Sequence, residues 1–323
     1  MNIRVLSAAT TALGVEASAM NMYLVGLLLR NGVRSAREKF VVCRSVVDAL
    51  QIGYVAFWIA PTTFFQSSGW LFDYIGSALT RLSAVLWCCS IMIQVITVIE
   101  RHFAICHGLL HMAFSDTILV KVSILGTIAF SMVFVQGFWF LTHCRGGYDM
   151  KHVVFTFDGD DCKLHLNRLA ALGFMLATLA LTFTLDTMTY LKLKNMNSKL
   201  TRQSSFTKHQ RASRQRCEDY VLTQTFVLPL TLLLQHALFF VRSTDFTKFD
   251  SIVLNFTFNM LVIIVIYQIE AIVELITNKS LNSFLYRLWN RRRSRERTPP
   301  ESNQLLKRRG AMQTDVIVID ISK

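Results

Sequence analysis

The chain has 323 residues, of which 52% are hydrophobic and only 17% are charged, and its mean hydropathy is +0.39. This composition is too apolar for an ordinary soluble domain. The formal net charge of +13 could suggest a nucleic-acid partner, but the basic residues are distributed as in a membrane protein, and we expect no nucleic-acid binding.

Seven stretches are long and apolar enough to cross a bilayer as helices, which takes about 20 residues each. They are Val5–Leu29, Val41–Phe65, Ile75–Val98, Leu119–Leu141, Leu169–Leu191, Val221–Val241 and Ile252–Ile276. A membrane-spanning strand would be a short alternating segment, whereas these runs are long and continuous. The sequence therefore predicts an all-α membrane protein, a seven-transmembrane helix bundle within residues 1–290.

Lysine and arginine are divided unevenly between the two sides of these spans. Twenty-six of the 34 lie in the loops after the first and fifth spans, in the tail, or at the helix ends on that same side. Only eight lie on the opposite side. Because positive charge stays cytoplasmic, we predict that the N-terminus is outside and the C-terminus inside.

The first span contains Asn21, which we place in the inner half of the helix. An alternative interpretation is a cleavable signal peptide whose cleavage site is the small-residue segment 17–19. Cleavage there would leave Met20–Leu29, which is too short to span a membrane, and six helices would remain. The residues around Asn21 favour the helix.

The second span carries Asp48 in its inner half, with Arg44 one turn earlier. An acid inside a membrane indicates a functional site, either in a water-filled network or paired with a cation. Arg44 can pair with Asp48 on the same helix face. This pair could be a static structural ion pair or could take part in a conformational switch, and the sequence leaves both interpretations open.

The third span has Arg81 near its outer end. This side chain could meet an anionic ligand or Glu16 of the first span. The alternative is that its guanidinium extends to the outer membrane surface.

The inner end of the third span reads Glu100-Arg101-His102, followed by Ala104-Ile105. An arginine at the membrane edge is costly unless it is paired, so we expect Glu100 to hold Arg101 at rest. Once released, Arg101 would offer five hydrogen-bond donors to a partner. The alternative is that the two charges only mark the interface end of a helix.

Of the seven cysteines, only Cys144 and Cys162 fall on the outer side, where a disulfide is chemically permitted. We predict that they are bonded, closing a loop that would contribute about 3 kcal/mol in the chain-entropy description. The sequence has no CxxC pair and no cysteine or histidine grouping with metal-ligand spacing, so we expect no metal and no cofactor.

The basic loop before the sixth span contains Arg216, and the sixth span contains Pro229, which is expected to kink it. The seventh span carries Glu270 and Glu274, one turn apart. Two like charges at this spacing require cations, water or protonation.

Beyond the seventh span, Leu281–Trp289 places apolar residues at helical spacing and runs into three arginines. This pattern predicts a short amphipathic helix on the inner leaflet. Residues 291–323 are polar and are predicted to be a disordered cytoplasmic tail.

The segment from Glu100 to Ile105 resembles the acid-Arg-Tyr signature of rhodopsin-like receptors, with His102 in place of the usual Tyr. Asn21 and Asp48 stand where that superfamily keeps an Asn and an Asp. More narrowly, four segments are similar to the nematode serpentine receptor class X family: Cys43–Asp48, Phe57–Thr63, the outer loop from Cys144 to Cys162, and Leu185–Lys194.

The chain also departs from the superfamily. Gly76 occupies the usual third-helix Cys position, so the common tether to the outer loop cannot form. The segment from Glu270 to Glu274 replaces the usual Asn-Pro-x-x-Tyr, which puts the familiar seventh-helix switch in doubt.

The resemblance implies a chemosensory receptor of a sensory-neuron plasma membrane that transduces binding of an extracellular small molecule or peptide to a heterotrimeric G protein. It implies no catalysis. The residues expected at the G-protein contact are Glu100, Arg101, His102 and Arg216. Those expected in an intramembrane network are Asn21, Arg44, Asp48, Pro229, Glu270 and Glu274.

Two other functions are open. One is an ion or solute transporter or channel that uses the intramembrane acids Glu16, Asp48, Glu270 and Glu274 as a path. The other is a receptor-derived protein that no longer signals, which the seventh-helix departures suggest.

The charge asymmetry gives a topological prediction. A protease site placed in the loop Thr142–Arg168 is expected to be cut on intact cells, and a tag after Lys323 is expected to be protected until the cells are permeabilised. Immunodetection after proteolysis measures both. A C-terminal tag accessible on intact cells would overturn the topology.

Overall fold

The computed structural model describes residues 3–33, 35–65, 70–107, 117–142, 145–149, 154–158, 171–202, 229–234, 237 and 256–277. All of them belong to one compact unit, Met1–Asn278. The predicted amphipathic helix and tail fall in a second unit, Lys279–Lys323, outside the described residues. Arg216, Cys144 and Cys162 also lie outside them.

The described chain is mainly helical. We label the helices α1 (Ile3–Asn31), α2 (Ala36–Phe65), α3 (Trp70–Cys106), α4 (Thr117–Thr142) and α5 (Ala171–Arg202). The described part of α6 is residues 229–234, and α7 is Val262–Thr277, preceded by a π-helical turn at Thr257–Leu261. Among the described residues, five helices, α1 to α5, contain segments long and apolar enough to span a membrane. The predicted helical membrane fold is confirmed.

Two helices extend well beyond the predicted spans. The third span was predicted to end at Val98, but α3 continues to Cys106, and the fifth was predicted to end at Leu191, but α5 continues to Arg202. Hydropathy marks the thickness of the hydrocarbon layer, whereas a helix continues as long as its backbone hydrogen bonds do. The extension places Arg101 inside a continuous helix.

The turn between α1 and α2 is short and locally encoded. Gly32 has a φ of 78°, a left-handed conformation that glycine adopts without strain, and its N–H donates to the Leu29 carbonyl at 3.1 Å. Ser35 then caps α2: its Oγ accepts from the Glu38 N–H, and the Glu38 carboxylate accepts from the Ser35 N–H, both at 3.1 Å. These two caps return the chain alongside α1.

α1 and α2 pack closely in an antiparallel pair. Ser7 Oγ donates to the Ala60 carbonyl, and Ser18 Oγ donates to the Ala49 carbonyl at 3.2 Å. Gly14 lies between these bonds, where a Cβ atom would come within 2.7 Å of Ala56 Cβ. The glycine is therefore required by close helix approach.

α2 contains a π-helical turn at Val55–Ile59, just before Pro61. Proline has no N–H, which leaves a carbonyl of the preceding turn without its helical partner. Thr62 Oγ1 donates to the Trp58 carbonyl at 2.7 Å, and Thr63 Oγ1 donates to the Ile59 carbonyl at 2.8 Å. The threonine hydroxyls thus satisfy carbonyls around the irregular turn.

α2 lies between two apolar clusters. The first is shared with α1 and α7 and consists of Leu6, Ala17, Ile52, Val55, Ile59, Ala60, Phe256, Met260, Ile264 and Tyr267. The second is shared with α3 and α4 and consists of Ala36, Phe40, Val47, Val85, Cys88, Cys89, Ile93, Val120 and Val135. These two clusters position α3 and α7 beside the polar residues of α2.

The segment between α4 and α5 contains a β-hairpin that the sequence did not predict. β1 (Arg145–Asp149) pairs antiparallel with β2 (Val154–Asp158), with Tyr148 opposite Phe155. The β-branched and aromatic residues of β2 favour a strand. Cys144 directly precedes β1, and Cys162 follows β2 by four residues, so the hairpin pairs the two strand ends nearest these cysteines. Their disulfide remains a prediction.

Gly14→Ala is expected to destabilise the protein by roughly 1–3 kcal/mol, because the new methyl group would overpack the α1–α2 contact. Gly26→Ala is the matched control on the same helix, since a Cβ there would have no atom within 4 Å. Thermal unfolding of purified protein in detergent measures both. Equal melting temperatures for the two variants would contradict the close-packing interpretation.

Candidate functional site

A buried arginine of α2 joins three helices. Arg44 is 9% exposed, and its Nη2 contacts Glu270 Oε2 of α7 and donates to Gln94 Oε1 of α3 at 3.1 Å. Its Nε lies 3.7 Å from Asp48 Oδ2 on α2 itself. The i, i+4 pairing of Arg44 with Asp48 that the sequence indicated is therefore present, and the contacts to α3 and α7 extend it.

The α2–α3 interface carries a row of side-chain hydrogen bonds. The polar residues of α2 are three or four positions apart, which places them on one face of the helix. As the residue number rises on α2 it falls on α3, as expected for antiparallel neighbours. The bonds are Arg44 to Gln94 at 3.1 Å, Ser90 to Asp48 at 2.7 Å, Gln51 to Ser83 at 2.7 Å, and Tyr54 with Thr80 at 3.1 Å.

α2 supplies the cations that the two glutamates of α7 require. Glu270 pairs with Arg44, and Glu274 Oε2 lies 3.6 Å from Arg37 Nη2. Glu270 and Glu274 are both buried, and they are one helical turn apart. The sequence left open whether cations, water or protonation stabilise these two like charges. In the structure, the two acids of α7 are held by arginines of α2.

A second buried arginine joins α3 to α5. Arg101 Nη2 lies 2.5 Å from Asp186 Oδ1, and the two residues are 6% and 1% exposed. Beside this pair, His102 Nδ1 is 3.0 Å from Thr189 Oγ1. Asp186 and Thr189 are three residues apart and so lie on one face of α5. An ion pair and a hydrogen bond thus join α3, near its C-terminal end, to the middle of α5.

Asp186 is the residue of this site that the sequence analysis missed. Glu100 was named as the partner of Arg101; it is buried on α3, and the structure adds a carboxylate from α5. A signal for Asp186 was available, because an acid inside an apolar membrane span indicates function whatever its neighbours in sequence. Its partner could not be identified, since 85 residues separate it from Arg101.

Three other predicted residues lie on α1, α3 and α6. Asn21 is buried in α1, and its Nδ2 donates to the Ala17 carbonyl of the same helix at 3.1 Å. Pro229 is buried at the start of the described part of α6, and Arg81 is half-buried on α3. Glu16, which the sequence offered as one possible partner of Arg81, is exposed on α1. The contact of Arg81 with an anionic ligand stays a prediction.

Comparison with known families gives one finding. A family model described as "Serpentine type 7TM GPCR chemoreceptor Srx" matches residues 14–278. The matched segment includes most of the first predicted span and all of the other six. It also includes every residue of the two arginine sites, which are Arg44 with its partners and Arg101 with its partners. No curated protein matches the chain.

Arg44→Met is expected to destabilise the protein by about 3–5 kcal/mol, because it leaves buried carboxylates without their cation. Adding Glu270→Gln to this variant should restore part of the loss, since one of those carboxylates is then neutral. Lys121→Met, at an exposed cation of α4, is the control. Thermal unfolding in detergent measures the parent protein and the three variants. A double variant less stable than Arg44→Met alone would argue against the pairing.

Proposed function

The chain belongs to the Srx family of serpentine seven-transmembrane chemoreceptors, and from this membership we propose that it couples the binding of an extracellular small molecule or peptide to the activation of a heterotrimeric G protein. Membership makes it a multi-pass membrane protein of a chemosensory receptor family. The G protein and the class of ligand belong to the proposal. So do the topology, with an outer N-terminus and a cytoplasmic C-terminus, and a location in a sensory-neuron plasma membrane.

The observation that carries the proposal is the buried Arg101–Asp186 pair. The Arg101 guanidinium lies 2.5 Å from the Asp186 carboxylate, and Arg101 is only 6% exposed. In this conformation a cytoplasmic protein cannot reach it. Separating α5 from α3 would expose a cation with five donors at the inner end of the bundle. A ligand that binds the separated conformation more tightly than the closed one would therefore increase the fraction of receptors with Arg101 exposed.

The other predicted contact residues take supporting roles in this mechanism. His102, through Thr189, adds a weaker restraint between the same two helices. Glu100 lies next to Arg101 on α3, and Arg216 stands in the basic segment of the sequence between Arg202 and Pro229. We propose that Arg101 and Arg216 contact the G protein. On the outer side, half-buried Arg81 is the candidate contact for an anionic ligand.

The placement of the acids favours a receptor over a transporter. A cation or proton path requires carboxylates that can exchange their ion. Glu270 and Glu274 are instead held by arginines of α2, and Asp48 shares Arg44 and accepts a hydrogen bond from Ser90. Glu16, the fourth acid of the suggested path, is exposed on α1. These contacts tie helices together and do not form a chain of exchangeable sites.

Asp186→Asn is expected to raise basal G-protein activation, because the neutral amide holds Arg101 less tightly. A shift of about 1.4 kcal/mol between the two conformations changes their ratio tenfold. Adding Arg101→Ala should abolish this increase, since the contact residue is then absent. Nucleotide exchange on a co-reconstituted G protein, measured without ligand, reports both effects.

Gln136→Ala, at an exposed polar position of α4, is the control for altering a polar residue within a membrane span, and Glu100→Gln shows whether the adjacent acid also restrains Arg101. Surface expression is measured for every variant so that misfolding is recognised. If Asp186→Asn reaches the surface and has the basal activity of the parent, the chain does not signal through this site. Solute flux as the only activity would favour the transporter.

A further inference from the structure

Glu16 is an ionisable residue on the outside of a membrane-spanning helix. Its side chain is exposed on α1, and it makes no ion pair or hydrogen bond within the described part of the chain. It lies 12 residues after Arg4 and 14 before Arg30, which is about 18 and 21 Å along the axis at 1.5 Å per residue. In a hydrocarbon layer of about 30 Å, a glutamate at this depth is too short to reach water at either surface.

The surface around Glu16 suits close approach of another helix. Positions one and two turns away on the same face are Ala9, Ala12, Ala19 and Tyr23, all exposed. The opposite face of α1 is occupied, since Gly14 and Ala17 pack against the bundle. Small residues allow helix backbones to come close together in a membrane, where packing and polar contacts drive association. We call the surface formed by Ala9, Ala12, Glu16, Ala19 and Tyr23 the Glu16 face.

The protein's own helices show how it stabilises buried carboxylates. Asp186 of α5 meets Arg101 of α3, and Glu270 and Glu274 of α7 meet arginines of α2. In these three pairs the acid and the arginine come from different helices, whereas Asp48 pairs with Arg44 within α2. Glu16 has the acid half of such a pair, and no lysine or arginine of the described residues pairs with it. Its side chain is exposed on α1, where a cation of another protein can reach it.

We propose that the Glu16 face binds a membrane-spanning helix of a partner protein that carries a lysine or arginine at mid-bilayer depth. Charge complementarity selects this partner over a second copy of the chain. A two-fold contact through the same face would place one Glu16 carboxylate against the other, and like charges in a low-dielectric layer repel. The proposal concerns assembly in the membrane and does not depend on G-protein coupling.

The test uses full-length protein labelled with a fluorescence donor in phosphatidylcholine vesicles, together with synthetic leucine-rich membrane-spanning helices labelled with an acceptor. The probes carry a central lysine, a central leucine or a central glutamate. We expect several-fold more energy transfer with the lysine helix than with the leucine helix. Glu16→Ala should reduce transfer with the lysine helix to the leucine level. Gln136→Ala, which changes an exposed polar residue of α4, should leave it unchanged.

Charge reversal makes the test specific. Glu16→Lys should reverse the preference, so that the glutamate helix gives the larger energy transfer. The residues of the Glu16 face are exposed on α1, and none of them belongs to the Arg44 or Arg101 contacts. Neither Glu16→Ala nor Glu16→Lys should therefore alter basal G-protein activation, and this separates failure here from failure of the proposed function. Equal transfer for all three probes would overturn the proposal and leave Glu16 as an acid facing lipid. Glu16-dependent transfer between donor- and acceptor-labelled receptors would overturn it in favour of a second copy.

Discussion

The arrangement of the bundle depends on the buried guanidinium of Arg44. An arginine removed from water is tolerated only when its charge and donors are matched. Its acceptors lie on three helices: Asp48 on α2, Gln94 on α3 and Glu270 on α7. Gln94 and Glu270 fix the rotation and height of α3 and α7 relative to α2, whereas Asp48 holds the guanidinium from α2 itself. Such a cluster contributes to the choice of one arrangement more than to net stability, because desolvation offsets much of the attraction between the charges.

The two arginine sites differ in what they join, and α3 belongs to both. Arg44 joins α2, α3 and α7 in the N-terminal half of α2, whereas Arg101 joins α3 to α5 near the C-terminal end of α3. Movement of α5 away from α3 would break the second site and leave the contacts of the first in place. The protein therefore combines a fixed group of helices with a neighbouring helix held by its own ion pair. A membrane receptor needs this division, since a signal requires one part to move relative to a stable part.

The acids of α7 illustrate how a departure from a family pattern can be understood physically. By sequence alone, Glu270 and Glu274 appear as two like charges in place of a familiar motif. In the structure, Arg44 and Arg37 of α2 neutralise them. The α2–α7 contact is thus ionic, and it lies beside the apolar cluster formed by α1, α2 and α7. Because the acids and their cations stand on different helices, either set alone would be costly within the membrane.

The sequence by itself determined the helical membrane class and the approximate positions of the spans that the structure describes, and it indicated that Arg44 can pair with Asp48. These follow from local properties: the length of an apolar run reports bilayer thickness, and an i, i+4 spacing brings two side chains together in any helix. It also identified Arg101 as a charge in need of a partner. Only the tertiary structure decided that Asp186, 85 residues away, is such a partner, and that Arg44 reaches Glu270, 226 residues away. The tertiary structure likewise showed that Glu16 faces outward. The reason is that helix rotation and interhelical register are set by packing over the whole bundle, which no single segment encodes.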